Sequence, residues 1–294
     1  MKPPQFEVLV PRETEEAVEA LARTDREVKV LAGGQSLVPL LSFRLARPDL
    51  LVDVNALSAL TSIGSEGGSV RIGSMVRQRA IERSDLVARE CPLLSEVVPY
   101  VAHAPIRNRG TVGGSLAHAD PSAELCAAAL VLDARLRARS VRGEREIAVA
   151  DFFVGPFTTA LTDDELLTEI VIPPVPAGGG WAFAEVARRR GDFAIAGVAA
   201  LVVVDPAGTV AEARLGYLSL DAVCRRVPAA EAALCGVDPA PDAFAQAAAI
   251  AATELAPNTD LHASADYRRH LAEVLTRRVL SAATSRAADR GGRT

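Results

Sequence analysis

The stretch Glu27-Val28-Lys29-Val30-Leu31-Ala32-Gly33-Gly34-Gln35-Ser36-Leu37 decides how the first part of the chain is read. Polar and apolar residues alternate from Glu27 to Leu31, which predicts a strand; two glycines stop it, and Leu37 to Leu45 carries helical spacing. Upstream, Phe6 to Val10 alternates as a further strand, and Thr14 caps a helix running to about Ala22 with Glu15 and Glu16 in its first turn. Downstream, Leu50 to Val54 is a third strand, so the opening reads βαβαβ and predicts a small parallel or mixed sheet. Paired glycines between a strand and a helix can adopt φ > 0 and turn successive N–H groups toward one point, a concavity suited to phosphate. Ser36 adds a hydroxyl and the helix start a favourable dipole. The same five residues, Ala32 to Ser36, also suit an ordinary tight turn, and alone they do not separate the two readings.

A second diglycine, Thr111-Val112-Gly113-Gly114-Ser115, changes the weight of the first. It closes a segment from His103 that is too rich in turn residues for either periodic element. Two such corners match the two phosphates of a dinucleotide. Neither is GxGxxG in a Rossmann unit and no GxxxxGK[ST] occurs, which disfavours an ordinary NAD fold and a P-loop NTPase. Just beyond lie His118, Asp120 and Glu124, which fit either a polar turn with helix capping or carboxylate contacts to ribose hydroxyls.

Between the corners, Val70 to Ile72 is a short strand and Val76 to Tyr100 is mostly helical, broken at Pro92. A helix from Ser122 to Leu130 follows, then strands near Leu132 to Ala138, Ile147 to Val149 and Leu166 to Ile172. The run Pro173 to Gly180 is the clearest break in the chain. Beyond it come strands at Trp181 to Ala187 and Val198 to Val204, a turn at Asp205 to Gly208 leading to another strand, and helices near 229–234, 241–255 and 264–286. The expected organisation is an N-terminal lobe (1–55), a middle lobe (56–175), a C-terminal α+β domain (181–286) and a frayed tail (287–294).

Composition narrows the function classes. The 294 residues carry a net charge of −5, which argues against a general nucleic-acid binder, and 4% aromatics argue against a base-stacking platform. Cys91, Cys126, Cys224 and Cys235 lack CxxC pairing, and His103, His118, His262 and His270 lack ligand-like spacing, so neither a metal nor an iron–sulfur site is expected. Four buried thiols in a reducing compartment are expected instead. The N-terminus fits neither a signal peptide nor a transmembrane segment, giving a soluble, cytoplasmic protein as the expectation.

The residues Ala32 to Ser36, Thr111 to Ser115 and Ile106-Arg107-Asn108 together resemble the FAD-binding medium subunit of molybdenum hydroxylases, the carbon-monoxide dehydrogenase and xanthine dehydrogenase type. The resemblance continues through Asp151-Phe152-Phe153, Asp164 to Thr168, Ile172-Pro173 and Ala265-Asp266-Tyr267-Arg268, nearly the whole chain. It implies an α+β fold: a two-lobed FAD-binding PCMH-type domain followed by a smaller domain of antiparallel sheet plus helices. It implies FAD between the lobes, its diphosphate held by Ala32, Gly33, Gly34, Gln35, Ser36, Thr111, Val112, Gly113, Gly114 and Ser115, with Lys29, Leu31 and Leu37 flanking. Ser115 stands where Asn is common in the family. His118, Asp120 and Glu124 would line the adenosine side, Leu167 would approach the flavin end, and Val101 and Ala102 would lie near the isoalloxazine ring. Arg188, Arg189 and Arg190 match a basic turn of the family and equally fit a solvated strand end. The implied role is electron transfer from [2Fe–2S] clusters on a small subunit to an external acceptor, beside a large molybdopterin subunit in a dimer of heterotrimers. A self-sufficient flavin oxidase and a non-catalytic dinucleotide-binding module are the alternatives. None of these readings names the substrate that the complex hydroxylates.

Overall fold

The computed structural model describes residues 2–291. The N-terminal lobe is a three-stranded parallel sheet of β1 (Glu7–Leu9), β2 (Val28–Leu31) and β3 (Leu50–Asp53) in the order β1-β3-β2. Crossover helices α1 (Thr14–Leu21) and α2 (Leu37–Ser42) connect them, as the βαβαβ reading requires. Ala17, Val18, Ala20 and Leu21 of α1 fall at helical spacing and bury against Leu50 and Val52. Leu57, Leu60, Met75 and Leu166 complete this small core, so the lobe is sealed by residues of the next one.

The middle lobe is an antiparallel sheet in the order β4-β5-β10-β6-β7. Its strands are β4 (Ile63–Glu66), β5 (Ser69–Gly73), β6 (Arg135–Ser140), β7 (Gly143–Ala148) and the central β10 (Leu166–Ile172), with β8 (Phe153–Gly155) and β9 (Thr158–Thr159) as a separate ribbon. Six helices cover one face: α3 (Gln78–Glu82), α4 (Asp85–Glu90), α5 (Pro92–Val97), α6 (Ala104–Arg107), α7 (Val112–His118) and α8 (Glu124–Val131). Every residue of α8 is buried, because this helix lies between the middle sheet and the C-terminal one. A helix apolar on all sides has to be covered on all sides.

The C-terminal sheet, antiparallel in the order β11-β12-β13-β14, comprises β11 (Gly179–Ala187), β12 (Ala194–Val204), β13 (Val210–Leu218) and β14 (Arg225–Arg226). After the short α9 (Pro228–Ala232), helices α10 (Pro241–Glu254) and α11 (Ala265–Gly291) cover one face through Ala182, Val198, Ala200, Val202, Leu215 and Tyr217. The other face, with Phe183, Ala199, Leu201 and Leu218, joins the core of the middle lobe. Strict period-two alternation along β11 and β12 is therefore split between two cores.

Several expectations are corrected. The segment 103–115 contains helix α6 and the start of α7 rather than continuous turn, and α2 stops at Ser42 because Phe43 and Arg44 turn out of the helix, Arg44 with φ +59°. Glu13 is the N-cap of α1, and Thr14 is its first helical residue. The tail expected to fray from 287 is helical to Gly291, with Ala287 only 2% exposed; 292–294 lie outside the described residues. Cys91, Cys126 and Cys224 are buried, whereas Cys235 is exposed. No described helix is long and apolar enough to cross a membrane.

The base of the C-terminal lobe is pinned by Arg268, 5% exposed, which donates to the carbonyls of Ile195 and Ser219 (3.1 Å to the latter) and to Asp260 Oδ2 at 2.7 Å. Replacing it leaves the carbonyls of Ile195 and Ser219, one half-buried and one buried, without this donor. Arg268→Met is expected to destabilise the lobe by roughly 2 kcal/mol or more in chemical denaturation, while Arg269→Met, whose partner Asp266 is exposed, changes stability by less than about 0.5 kcal/mol.

Candidate functional site

The two glycine corners meet. A Cβ on Gly33 would stand 2.5 Å from the Arg109 carbonyl oxygen and 2.8 Å from the Gly110 Cα, so main chain packs on main chain with no room for a side chain. From the other side, a Cβ on Gly114 would lie 3.6 Å from Ala32 Cβ. The corners are nearly eighty residues apart in sequence, and they form one surface between the N-terminal and middle lobes.

They do not work alike. At the first corner Gly34 has φ +73° while Gly33 has an ordinary negative φ, so one residue of the pair, not both, takes the left-handed turn. Among the described residues, the N–H groups of Gly33, Gly34, Gln35 and Ser36 have no hydrogen-bond acceptor. The Gln35 side chain reaches back to the Gly33 carbonyl at 3.0 Å and closes the loop on itself. Helix α2 has only six residues, so a row of free amides, more than a helix dipole, makes this corner attractive to an anion.

The second corner is the first turn of helix α7, and neither Gly113 nor Gly114 has a positive φ. Its amides are already used: Val112 N donates to Val76 O at 3.0 Å, Gly113 N to Ser74 O at 2.9 Å, Gly114 N to Thr111 Oγ1 at 3.0 Å and Ser115 N to Thr111 O at 3.2 Å. The expected second set of converging donors is thus corrected. Gly113 and Gly114 serve by lacking a Cβ, since a side chain on Gly113 would strike Ser74 and one on Gly114 would stand 2.6 Å from Thr111 Oγ1. Thr111 is the N-cap that holds this turn.

Around the corners, Lys29 is exposed on β2, Leu31 packs near Gly34, and Leu37 is half-buried at the start of α2. His118 ends α7 against the ring of Phe157, with centroids 5.2 Å apart; burial lowers its pKa, and the nearby charge of Asp120 opposes that shift. Asp120 caps the turn into α8 by accepting from Ser122 N at 2.9 Å. Glu124 is buried at the first turn of α8, which packs beneath the C-terminal sheet. Leu167 is 4% exposed as a whole and its side chain packs in the core, beside the irregularity between Leu167 and Glu169. Ala102 takes φ +42°, and the buried Arg107 holds it there, donating to the Val101 and Ala102 carbonyls at 2.9 Å each while pairing with Glu82 at 3.0 Å. Gly191, in the turn after Arg188 to Arg190, backs onto the His103 ring and the Ala102 carbonyl, so the C-terminal lobe closes this side.

Two features escaped the sequence reading. Asn55 and Arg77 sit between the corners, with Asn55 Nδ2 donating to Ala32 O at 2.9 Å and Arg77 donating to the Arg109 carbonyl. Glu185 on β11 points to the same side as Phe183, toward the middle lobe, and its Oε2 is buried with no partner. Burial pushes Glu124 up to about 7, and burial together with the Glu124 charge pushes Glu185 up to about 8. No local motif marks either feature, because both depend on which lobes meet.

A corner of free amides beside a diglycine helix turn, at the junction of two α+β lobes, is the kind of concave main-chain site that suits a phosphate-bearing ligand. A family model described as "FAD binding domain in molybdopterin dehydrogenase" matches residues 4–175, and one described as "CO dehydrogenase flavoprotein C-terminal domain" matches 181–283. The chain is 40% identical over 287 residues to the 6-hydroxypseudooxynicotine dehydrogenase complex subunit alpha of Paenarthrobacter nicotinovorans, covering 98% of this chain and 97% of that one. It is 39% identical to the caffeine dehydrogenase subunit beta of a Pseudomonas species, covering 99% and 97%. Among solved structures, a carbon monoxide dehydrogenase from Hydrogenophaga pseudoflava lacking the Mo-pyranopterin moiety superposes with a TM-score of 0.94 at 36% identity, covering 97% and 99%. The chain belongs to the family of FAD-binding medium subunits of molybdenum hydroxylases, and is an oxidoreductase subunit whose cofactor is FAD.

Two outcomes follow from the geometry. Gly33→Ala is expected to force the corners apart at a cost of roughly 1–3 kcal/mol, read in thermal denaturation against Gly64→Ala, where nothing lies within 4 Å. Glu124 and Glu185 hold protons in the folded chain at pH values where the unfolded chain has released them, so their stabilisation is complete below about pH 4.5 and is lost as pH rises toward about 8. Glu185→Gln is expected to flatten that loss, by roughly 3 °C or more in the fall of Tm between pH 5.5 and 8.5.

Proposed function

We propose that this chain is the electron-transfer subunit of a three-component molybdenum hydroxylase, taking electrons from [2Fe–2S] clusters of a small subunit and passing them to an external acceptor. The flavin, when bound, supplies the redox chemistry. The protein's part is binding, orientation and electrostatics. In this reading the free amides of Gly33 to Ser36 hold one phosphate, as acceptor-less donors facing an anion. The Cβ-free face of Gly114, which turns toward Ala32, lets the rest of the diphosphate approach the main chain with Thr111 and Ser115 beside it, while Gly113 lets the turn pack on Ser74. Ala102, held at positive φ by Arg107, and the main chain at Leu167 border the space between lobes where the ring would lie.

The observation that carries the proposal is the unsatisfied amide row at a corner that the second glycine pair closes. Donors with no partner in the protein are open to a ligand with several acceptor oxygens. The named relatives act, by their names, on a nicotine derivative, on caffeine and on carbon monoxide. One medium-subunit fold therefore accompanies chemically unlike substrates, which supports placing hydroxylation on a large molybdopterin subunit. A dimer of heterotrimers in the cytoplasm is the assembly proposed.

Gly34→Val places a β-branched side chain at φ +73° and 3.2 Å from Val38, and Gly114→Val drives into Thr111. Both are expected to lose at least about tenfold in flavin retention, measured by absorbance of the purified complex at the flavin bands. Wild-type flavin content in both variants overturns the assignment of the corners. Reduction of bound flavin by the complex's substrate only when the iron–sulfur subunit is present supports the relay; reduction of the isolated chain by an organic substrate supports the oxidase.

A further inference from the structure

The corners touch without a hydrogen bond between their main chains, so something else must set their spacing. Asn55 and Arg77 supply it. Asn55 Nδ2 donates to the Ala32 carbonyl at 2.9 Å, Asn55 Oδ1 accepts from Arg77 Nη2 at 2.6 Å, and Arg77 Nη1 donates to the Arg109 carbonyl. The orientation of the amide is not arbitrary, since Asp53 Oδ1 accepts from both Asn55 N and Nδ2, leaving Oδ1 to face the guanidinium. The main chain repeats the tie: Arg77 and Thr111 form an antiparallel bridge, and Gln78 N donates to Gly110 O at 2.9 Å. The result is a two-residue link from the carbonyl at the first corner to the carbonyl at the second.

The charge of this link is only partly matched, by Asp53, whose carboxylate acts on Arg77 without pairing with it. Among the described residues neither Arg77 nor Arg109 forms an ion pair, although Arg77 is half-buried and has Arg109 as a neighbour. A half-buried cation that forms no ion pair, in the same cleft as free amides, suits a ligand with two negative charges.

We propose that Asn55 and Arg77 are positioning residues of the dinucleotide site, holding the two glycine corners at the separation a diphosphate requires, with the Arg77 guanidinium also attracting it. This rests on the flavin reading above. It is tested with the full-length chain stripped of flavin, titrated with FAD at several salt concentrations, in wild type, Arg77→Met, Arg77→Lys, Asn55→Ala and the Arg77→Met/Asn55→Ala pair. Arg77→Met is expected to weaken FAD about tenfold and reduce the salt dependence. Asn55→Ala is expected to weaken it about fivefold with the salt dependence intact, and Arg77→Lys to fall between. In the Arg77→Met background, Asn55→Ala is expected to add less than about twofold, because the link is already cut.

In the ligand-free chain, Arg77→Met is also expected to speed hydrogen exchange at Val112 and Gly113. FAD affinities within about twofold of wild type in both single variants overturn the proposal, as do additive losses that track the melting temperature of the ligand-free chain. A wild-type chain that binds no FAD overturns the flavin reading and the ligand half of this inference together, and unchanged exchange in Arg77→Met then overturns the link as well.

Discussion

The close approach of Gly33 to the main chain of Arg109 and Gly110 is the contact on which the site depends. Two segments of backbone come within van der Waals distance across a lobe boundary, and a single methyl group at Gly33 would separate them. Because protein interiors are close-packed and do not deform continuously, such a contact sets a distance. The spacing then sets the row of amides at Gly33 to Ser36 beside the first turn of α7, where Ala32 lies against Gly114. The small core of Leu57, Leu60, Met75 and Leu166 supports the approach from behind by making the N-terminal sheet inseparable from the middle lobe.

The C-terminal lobe plays a different part. Its sheet contributes one face to its own helices and the other to the middle lobe, so α8 is enclosed on all sides and Glu124 at its start is enclosed with it. Placing Glu185 opposite, with no cation among the groups that act on it, produces two carboxyls that are easier to keep protonated than charged. Arrangements of this kind store a sensitivity to pH in the junction between lobes. The same junction brings the Arg188–Asp192 turn against Ala102 and His103, where a ligand between the lobes would meet it.

Much of this was legible in the residues. Alternation at Glu27 to Leu31 and Leu50 to Val54, with helical spacing between, is a local signal, and the parallel sheet followed from it. The break at Pro173 to Gly180 and the two glycine pairs were visible for the same reason. What failed was local detail: Gly113 and Gly114 look like a turn by composition, yet the carbonyls of Ser74 and Val76 and the hydroxyl of Thr111 satisfy their amides and Val112's, and a helical turn results. The tail from 287 looks polar, but Ala287 is buried and the helix continues over it.

The sequence by itself determined most of the elements and the family, because strand and helix periods, turn residues and paired glycines act over a few residues each. Only the tertiary structure decided that one glycine corner keeps its amides free while the other uses its own, that Asn55 and Arg77 stand between them, and that the charge of Glu124 reaches Glu185. Each of these is a property of which carbonyls, guanidinium groups and carboxyls are brought within a few ångströms by separate lobes, and no spacing along the chain encodes such a meeting.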